Sequence, residues 1–135
     1  MGCFFGFPIT KTSGGGGGGG GGLPGRYTYA SAAGQVNNVT PATPAGWPGM
    51  QSARLIVTLP SGVANWTGLA AGNDGQEILL VNTDTANNLT LNNLNAGSLA
   101  ANQFLCPNNF DLILSPTTSI LLTYDGTLAL WILTP

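Results

Sequence analysis

The side chains able to do chemistry in this chain are few. Its 135 residues include five acids, three basic residues and no histidine. The acids are Asp74, Glu77, Asp84, Asp111 and Asp125; the basic residues are Lys11, Arg26 and Arg54; the thiols are Cys3 and Cys106. Lacking histidine, the chain lacks the commonest general base, the usual activator of a nucleophile and the commonest metal ligand. Paired carboxylates can cleave a glycosidic bond, and Glu77 facing another acid across strands is the nearest approach to that arrangement. Most of the acids stand beside turn residues, however, where aspartate serves local hydrogen bonding. Asp84 with Asn82 or Asn87 offers oxygen ligands of the kind calcium takes, without the spacing of a calcium loop. These residues predict a protein that is not an enzyme and that uses no cofactor and no metal.

The run Gly14–Gly22 satisfies G-x-G-x-x-G trivially. No strand pattern precedes it and Leu23-Pro24 follows it, so the context of a dinucleotide-binding turn is missing. The net charge is −2 and charged residues make up 6% of the chain, against about 25% in an average soluble domain. Three cations provide no basic stripe for nucleic acid. No stretch reaches the roughly 18 apolar residues of a membrane-spanning helix. The start, MGCFFGFPITK, has neither the positive region nor the apolar length of a signal peptide, and Gly6 stands where a myristoylation signal has Ser or Thr. Two cysteines so far apart, without a secretion signal, are expected as free thiols. A surface so poor in charge is expected to be covered in part by other protein.

The elements that must position these residues follow from composition. Residues 1–22 are read as an anchor peptide with Phe4, Phe5 and Phe7, followed by a poly-glycine tether. Residues 23–52, with Pro24, Pro41, Pro44 and Pro48, are read as an extended linker, because proline excludes a helix. Residues 53–135 are read as a β-domain, with strands expected at 54–59, 77–82, 88–93, 110–115, 119–125 and 128–133. Pro60-Ser61-Gly62, Gly72-Asn73-Asp74-Gly75, Ala96-Gly97-Ser98, Ser115-Pro116-Thr117 and Asp125-Gly126 separate them. Asp-Gly between two apolar runs is a hairpin signal. Short strands at regular spacing predict an all-β fold, an antiparallel β-sandwich of jelly-roll type with an extended N-terminal arm.

Alternation fails in two places, and the failure is informative. A half-buried strand should carry one polar face. In 128–133 one face holds Leu128, Leu130 and Ile132, and the other holds Ala129, Trp131 and Leu133. Residues 78–81 are apolar on both faces as well. Two such strands in a nearly uncharged chain predict burial by a neighbouring copy, with Leu128, Leu130, Trp131 and Leu133 at the interface; the pattern itself shows only burial, and a homotrimer is the favoured arrangement. The arm poses a related question. Ordering nine glycines costs about 1–2 kcal/mol per residue, so the tract needs an external surface to order it. Phe4, Phe5 and Phe7 are the expected anchor in a partner.

The stretch LAAGNDGQEILLVNTDTANNLTLNN, 69–93, continued by LAANQFLC, DLILSPTTSILLTYDG and Trp131, resembles small β-sandwich modules of tailed-phage virion proteins. The residues that carry the likeness are Gly72, Asp74, Gly75, Asn82, Asn88, Thr90, Leu91, Ala100, Asn102, Phe104, Tyr124, Asp125, Gly126 and Trp131. They span about half the chain. Arginine is frequent in that family where this chain has Gln76 and Gln103, so an ion pair made there has no counterpart here. Modules of this kind occur in head decoration proteins, head fibres and tail fibres, commonly as trimers. The resemblance implies a capsid decoration or cement protein that trimerises on the head. Its partners would be itself and the major capsid protein or another virion protein, in a particle assembled in the host cytoplasm. A tail-fibre or receptor-binding module is the alternative.

Overall fold

The computed structural model describes residues 26–41 and 52–135. They form ten strands: β1 Arg26–Ala30, β2 Gly34–Val36, β3 Ser52–Thr58, β4 Ala64–Trp66, β5 Glu77–Asn82, β6 Leu89–Leu91, β7 Phe104–Leu105, β8 Leu112–Leu114, β9 Thr118–Asp125 and β10 Leu130–Thr134. Two short 3-10 turns, Ala100–Asn102 and Pro107–Asn109, flank β7. The fold is all-β, with a six-stranded sheet ordered β1-β3-β5-β9-β10-β7 and a four-stranded sheet ordered β2-β4-β6-β8.

The chain crosses from one sheet to the other with almost every strand, and each return lays a strand beside its predecessor. Thus β1, β3 and β5 pair in parallel, as do β2, β4 and β6. The pairing therefore departs from the antiparallel sandwich that the hairpin-like turns predict. Antiparallel pairs are confined to β5–β9, β9–β10 and β6–β8. Except at the β9–β10 hairpin, sequence-adjacent strands lie in opposite sheets, so most of the turns are corners of a coil. Residues 26–36, inside the span expected as linker, supply β1 and β2 of these same sheets.

The coil is written into the sequence as a faint repeat. Val36-Asn37-Asn38-Val39, Trp66-Thr67-Gly68-Leu69 and Leu91-Asn92-Asn93-Leu94 recur at intervals of roughly 25–30 residues, a period typical of stacked supersecondary units. Val36 is in register with Trp66, and Trp66 with Leu91. The corner after each strand repeats one hydrogen bond: Thr67 N donates to Val36 O at 3.0 Å and Asn92 N to Trp66 O at 2.9 Å. At the first two corners an apolar residue packs on the core on each side, Val36 and Val39, then Trp66 and Leu69; at the third Leu91 is buried and Leu94 is exposed.

One hydrophobic core lies between the sheets. It takes Leu55, Val57, Ile78, Leu80, Leu122, Trp131 and Leu133 from the large sheet and Ala64, Trp66, Leu89, Leu91 and Leu114 from the small one. Trp66 is fully buried; its indole N–H donates to Ser31 Oγ at 2.9 Å, and Tyr29 meets its ring edge-on at 5.6 Å. Burying a group of this size contributes on the order of 1.5–3 kcal/mol per large apolar side chain, and edge-to-face aromatic pairs add about 0.5–1.5 kcal/mol.

Candidate association surface

Asp74, Gly75, Tyr124, Gly126 and Trp131 come together as a structural clip. Gly75 has φ +81°, a conformation that glycine adopts without strain. Asp74 Oδ1 accepts from Gly126 N at 2.8 Å, and Gly75 N donates to Tyr124 O at 2.9 Å, so the two Asp-Gly turns lock against each other. Tyr124 meets Trp131 edge-on at 5.1 Å, and its hydroxyl donates to Ala101 O. Trp131 Nε1 donates to Leu69 O and Ala70 O, each at 3.2 Å. Asn82 Nδ2 donates to Asn87 O and Leu114 O, and Asn82 Oδ1 accepts from Asp84 N. Gln76 is fully buried; its Oε1 accepts from Asn73 N, and its Nε2 has no protein partner.

Four of the five acids are occupied by backbone. Asp84 Oδ1 accepts from Ala86 N and Asn87 N, both at 2.8 Å, and these bonds hold its carboxyl below the usual value. Asp111 accepts from Asn93 N and Asn92 Nδ2, Asp125 from Thr127 N and Leu128 N, and Asp74 from Gly126 N. Asp84 and Asp125 staple their own turns, as short polar side chains do, while Asp74 and Asp111 tie their turns to distant segments. Among the described residues no three of His, Cys, Asp and Glu come together as a metal-binding group. Cys106 is buried and free; burial pushes its thiol up to about 11, and Sγ donates to Leu91 O. Phe4, Phe5, Phe7 and Lys11 lie outside the described residues.

Strand β10 resolves the two-sided apolar pattern. Trp131 and Leu133 point into the chain's own core, at 0% and 4% exposure, so they offer no surface to a neighbour. This narrows the expected interface set: what remains on the outside is Leu130 and Ile132, both part-exposed, with Leu128 in the hairpin turn at 56%. The hairpin turn places Ala129 at φ +55°, with Ala129 N donating to Asp125 O.

The same inward–outward split runs across the large sheet. Ile78 and Leu80 face in, leaving Glu77, Leu79 and Val81 outside; Ile120, Leu122 and Tyr124 face in, leaving Ser119, Leu121 and Thr123 outside. On β3, Arg54 is exposed and Ile56, on the same face, is itself buried at 8%; on β1 the outward residues are Arg26 and Thr28. Strand register sets these side chains in rows. One row runs Arg26, Arg54, Leu79, Leu121, Thr134; the next runs Thr28, Ile56, Val81, Ser119; a third runs Glu77, Thr123, Ile132, Leu105. The outer face thus has an aliphatic centre and two arginines side by side on one flank. The outer row of the small sheet is different: Gln35, Asn65, Thr90 and Ile113, largely polar.

No family model, no curated protein and no solved structure matches this chain.

Proposed function

We propose that this chain is a non-enzymatic structural protein of a tailed-phage virion, a capsid decoration or cement protein that trimerises on the head surface and is held there by its N-terminal arm. The observation that carries this reading is the outer face of the six-stranded sheet, where Leu79, Val81, Leu121, Leu130 and Ile132 form an aliphatic field in a chain with 6% charged residues. Contiguous apolar surface of this kind marks a site of association. The clip of Asp74, Gly75, Tyr124, Gly126 and Trp131 supports the reading, because these residues serve to lock turns and pack the core. Two sheets over one core also suit a β-sandwich module of that family, although the parallel pairs of β1 to β6 differ from a jelly roll.

In this reading Phe4, Phe5 and Phe7 are the plug and Gly14–Gly22 the tether that follows it. Nine residues reach at most about 30 Å, enough to cross a neighbouring subunit. The test is co-sedimentation of purified protein with undecorated heads. Full-length protein should bind as a trimer, and protein lacking residues 1–22 should stay folded and trimeric while losing most of its attachment. Normal occupancy by the truncated protein would remove the arm from the account, and failure of the full chain to bind heads at all would overturn the decoration reading. A receptor-binding or tail-fibre module is the second reading, favoured by Phe110, an aromatic at 75% exposure near Ile113 at 60%. Gold labelling of the protein on intact particles separates head from tail.

A further inference from the structure

We infer that the outer face of the six-stranded sheet is the contact between copies of this chain, with Arg26 and Arg54 of one copy reaching Glu77 of the next across the aliphatic centre. The inference rests on the proposal that the protein is a trimer and identifies the face that builds it. Its starting point is the distribution of unused charge. Asp84 and Asp125 are tied to backbone N–H groups of their own turns, and Asp74 and Asp111 to those of Gly126 and Asn93 in distant segments. Arg26, Arg54 and Glu77 have no ion pair or side-chain hydrogen bond among the described residues. These three lie on one face of one sheet, the same face that carries Leu79, Leu121, Leu130 and Ile132.

Their placement within the chain is unfavourable as it stands. Arg26 and Arg54 are direct neighbours in register, where like charges destabilise a pair of strands. Glu77 sits one strand further on, opposite Ser52 and two residues along from the position facing Arg54. Such a diagonal separates Cβ atoms by about 7–8 Å, and the two side chains leave it unclosed. A second copy supplies what is missing on both sides: a carboxylate for the arginine pair and a guanidinium for Glu77. Arginine at the margin of an aliphatic patch is the composition of a protein interface. Because each copy carries both the arginine pair and the carboxylate on this one face, the missing pairs form reciprocally where the faces of neighbouring copies meet around a symmetry axis. Charge at the margin fixes register and excludes wrong partners, while the aliphatic centre supplies the area.

The test compares sedimentation velocity of the full-length protein with that of R54E, E77K and the combined R26E/R54E/E77K, alongside the neutral pair R54Q and E77Q. Urea midpoints measured at low protein concentration confirm that each variant folds. The single charge reversals should weaken the trimer at least tenfold, roughly what loss of one interfacial charge pair does. The combined variant should recover most of that loss, because every reversed charge again meets its opposite in a symmetric ring. The neutral variants should weaken assembly less and flatten its dependence on salt. A trimer indifferent to all of these substitutions would overturn the inference while leaving the trimer itself standing. A monomeric wild-type chain at micromolar concentration would instead overturn the reading on which the inference rests. Loss of the trimer on deleting residues 1–22, with the charge variants silent, would show that the arm of a neighbouring copy covers this face and would overturn the direct contact between sheets.

Discussion

Leu130 and Trp131 are consecutive on β10 and point to opposite sides of the sheet, so substituting them should damage different properties. Trp131 is fully buried, packs edge-on against Tyr124 and donates its indole N–H to two carbonyls. Trp131→Ala removes a large core side chain, which typically costs about 3–5 kcal/mol. It also leaves the Leu69 and Ala70 carbonyls without their donor, roughly another 1 kcal/mol. Against a total stability of about 5–15 kcal/mol, the variant should lose about a quarter or more of its margin. Leu130 lies outside, opposite Asp125. Leu130→Lys places a cation beside that carboxylate and deletes nothing from the core, so the monomer should change by less than about 0.5 kcal/mol. Its effect should fall on assembly, where a lysine enters the aliphatic field.

Two measurements on each variant read this out. Guanidinium unfolding followed by tryptophan fluorescence, at a fixed low protein concentration, gives folding stability without the mass-action contribution of assembly. Sedimentation velocity across a concentration series gives the oligomer. Trp131→Ala should unfold early, and Leu130→Lys should unfold like wild type yet sediment as a smaller species. A Leu130→Lys chain that loses several kcal/mol in dilute solution, or a Trp131→Ala chain that unfolds like wild type, would refute the assignment of faces along β10.

Other sites give sharper local tests. Asn38 holds φ +47° while its backbone N–H donates to Ser98 Oγ and its Oδ1 accepts from Leu99 N and Asn102 Nδ2; Asn38→Ala should cost about 2–4 kcal/mol in a urea titration, and Asn38→Gly slightly less because only the side-chain bonds are lost. Gly68→Ala should be among the most damaging single methyl additions, since its Cβ would stand 2.5 Å from Asn102 O and 2.7 Å from Ser98 Cβ; thermal unfolding should show a loss well above the ordinary 1 kcal/mol or so of a point substitution. Burial raises the Cys106 thiol from 9.0 to about 11, so its contribution is intact below pH 9 and is lost as pH climbs toward 11, on the order of 2–3 kcal/mol in all; Cys106→Ala should flatten that part of the alkaline stability curve, and the native thiol should react slowly with alkylating reagents at pH 8.

The long strands of the large sheet were legible because each carries its own signal. Residues 77–82 form β5 over the expected span, and the strands expected at 54–59, 119–125 and 128–133 fall within a residue or two of β3, β9 and β10. Strands of two or three residues, such as β2, β4 and β7, are too short for a period-two pattern to emerge. β1 is a different case: Tyr27 and Tyr29 alternate with Arg26, Thr28 and Ala30, a readable strand pattern masked by its proline- and glycine-rich surroundings. The pairing itself was the least legible part. A turn such as Pro60-Ser61-Gly62 fits a hairpin or a corner equally well, and only the partner two strands away in the sequence decides between them. The available signal was the recurrence of Val36-Asn37-Asn38-Val39 in Trp66-Thr67-Gly68-Leu69 and Leu91-Asn92-Asn93-Leu94, a repeat blurred by unequal turn lengths.

The association surface was half legible for a physical reason. Apolar residues on both faces of 78–81 and 128–133 signal that both faces avoid water, but sequence alone does not say which face the chain covers by itself. Core packing decides that. Trp131 and Leu133 go inward because the clip of Asp74, Gly75 and Tyr124 fixes the register of β9 and β10 against the coil. A one-residue slip would turn the opposite set inward, placing Leu130 and Ile132 in the core and Trp131 outside, with its indole donor parted from Leu69 and Ala70. The hydrogen bonds of the clip therefore determine more than local stability. They choose which aliphatic set is left for a neighbour, and they bring that set onto the one face where Arg26, Arg54 and Glu77 stand without partners among the described residues.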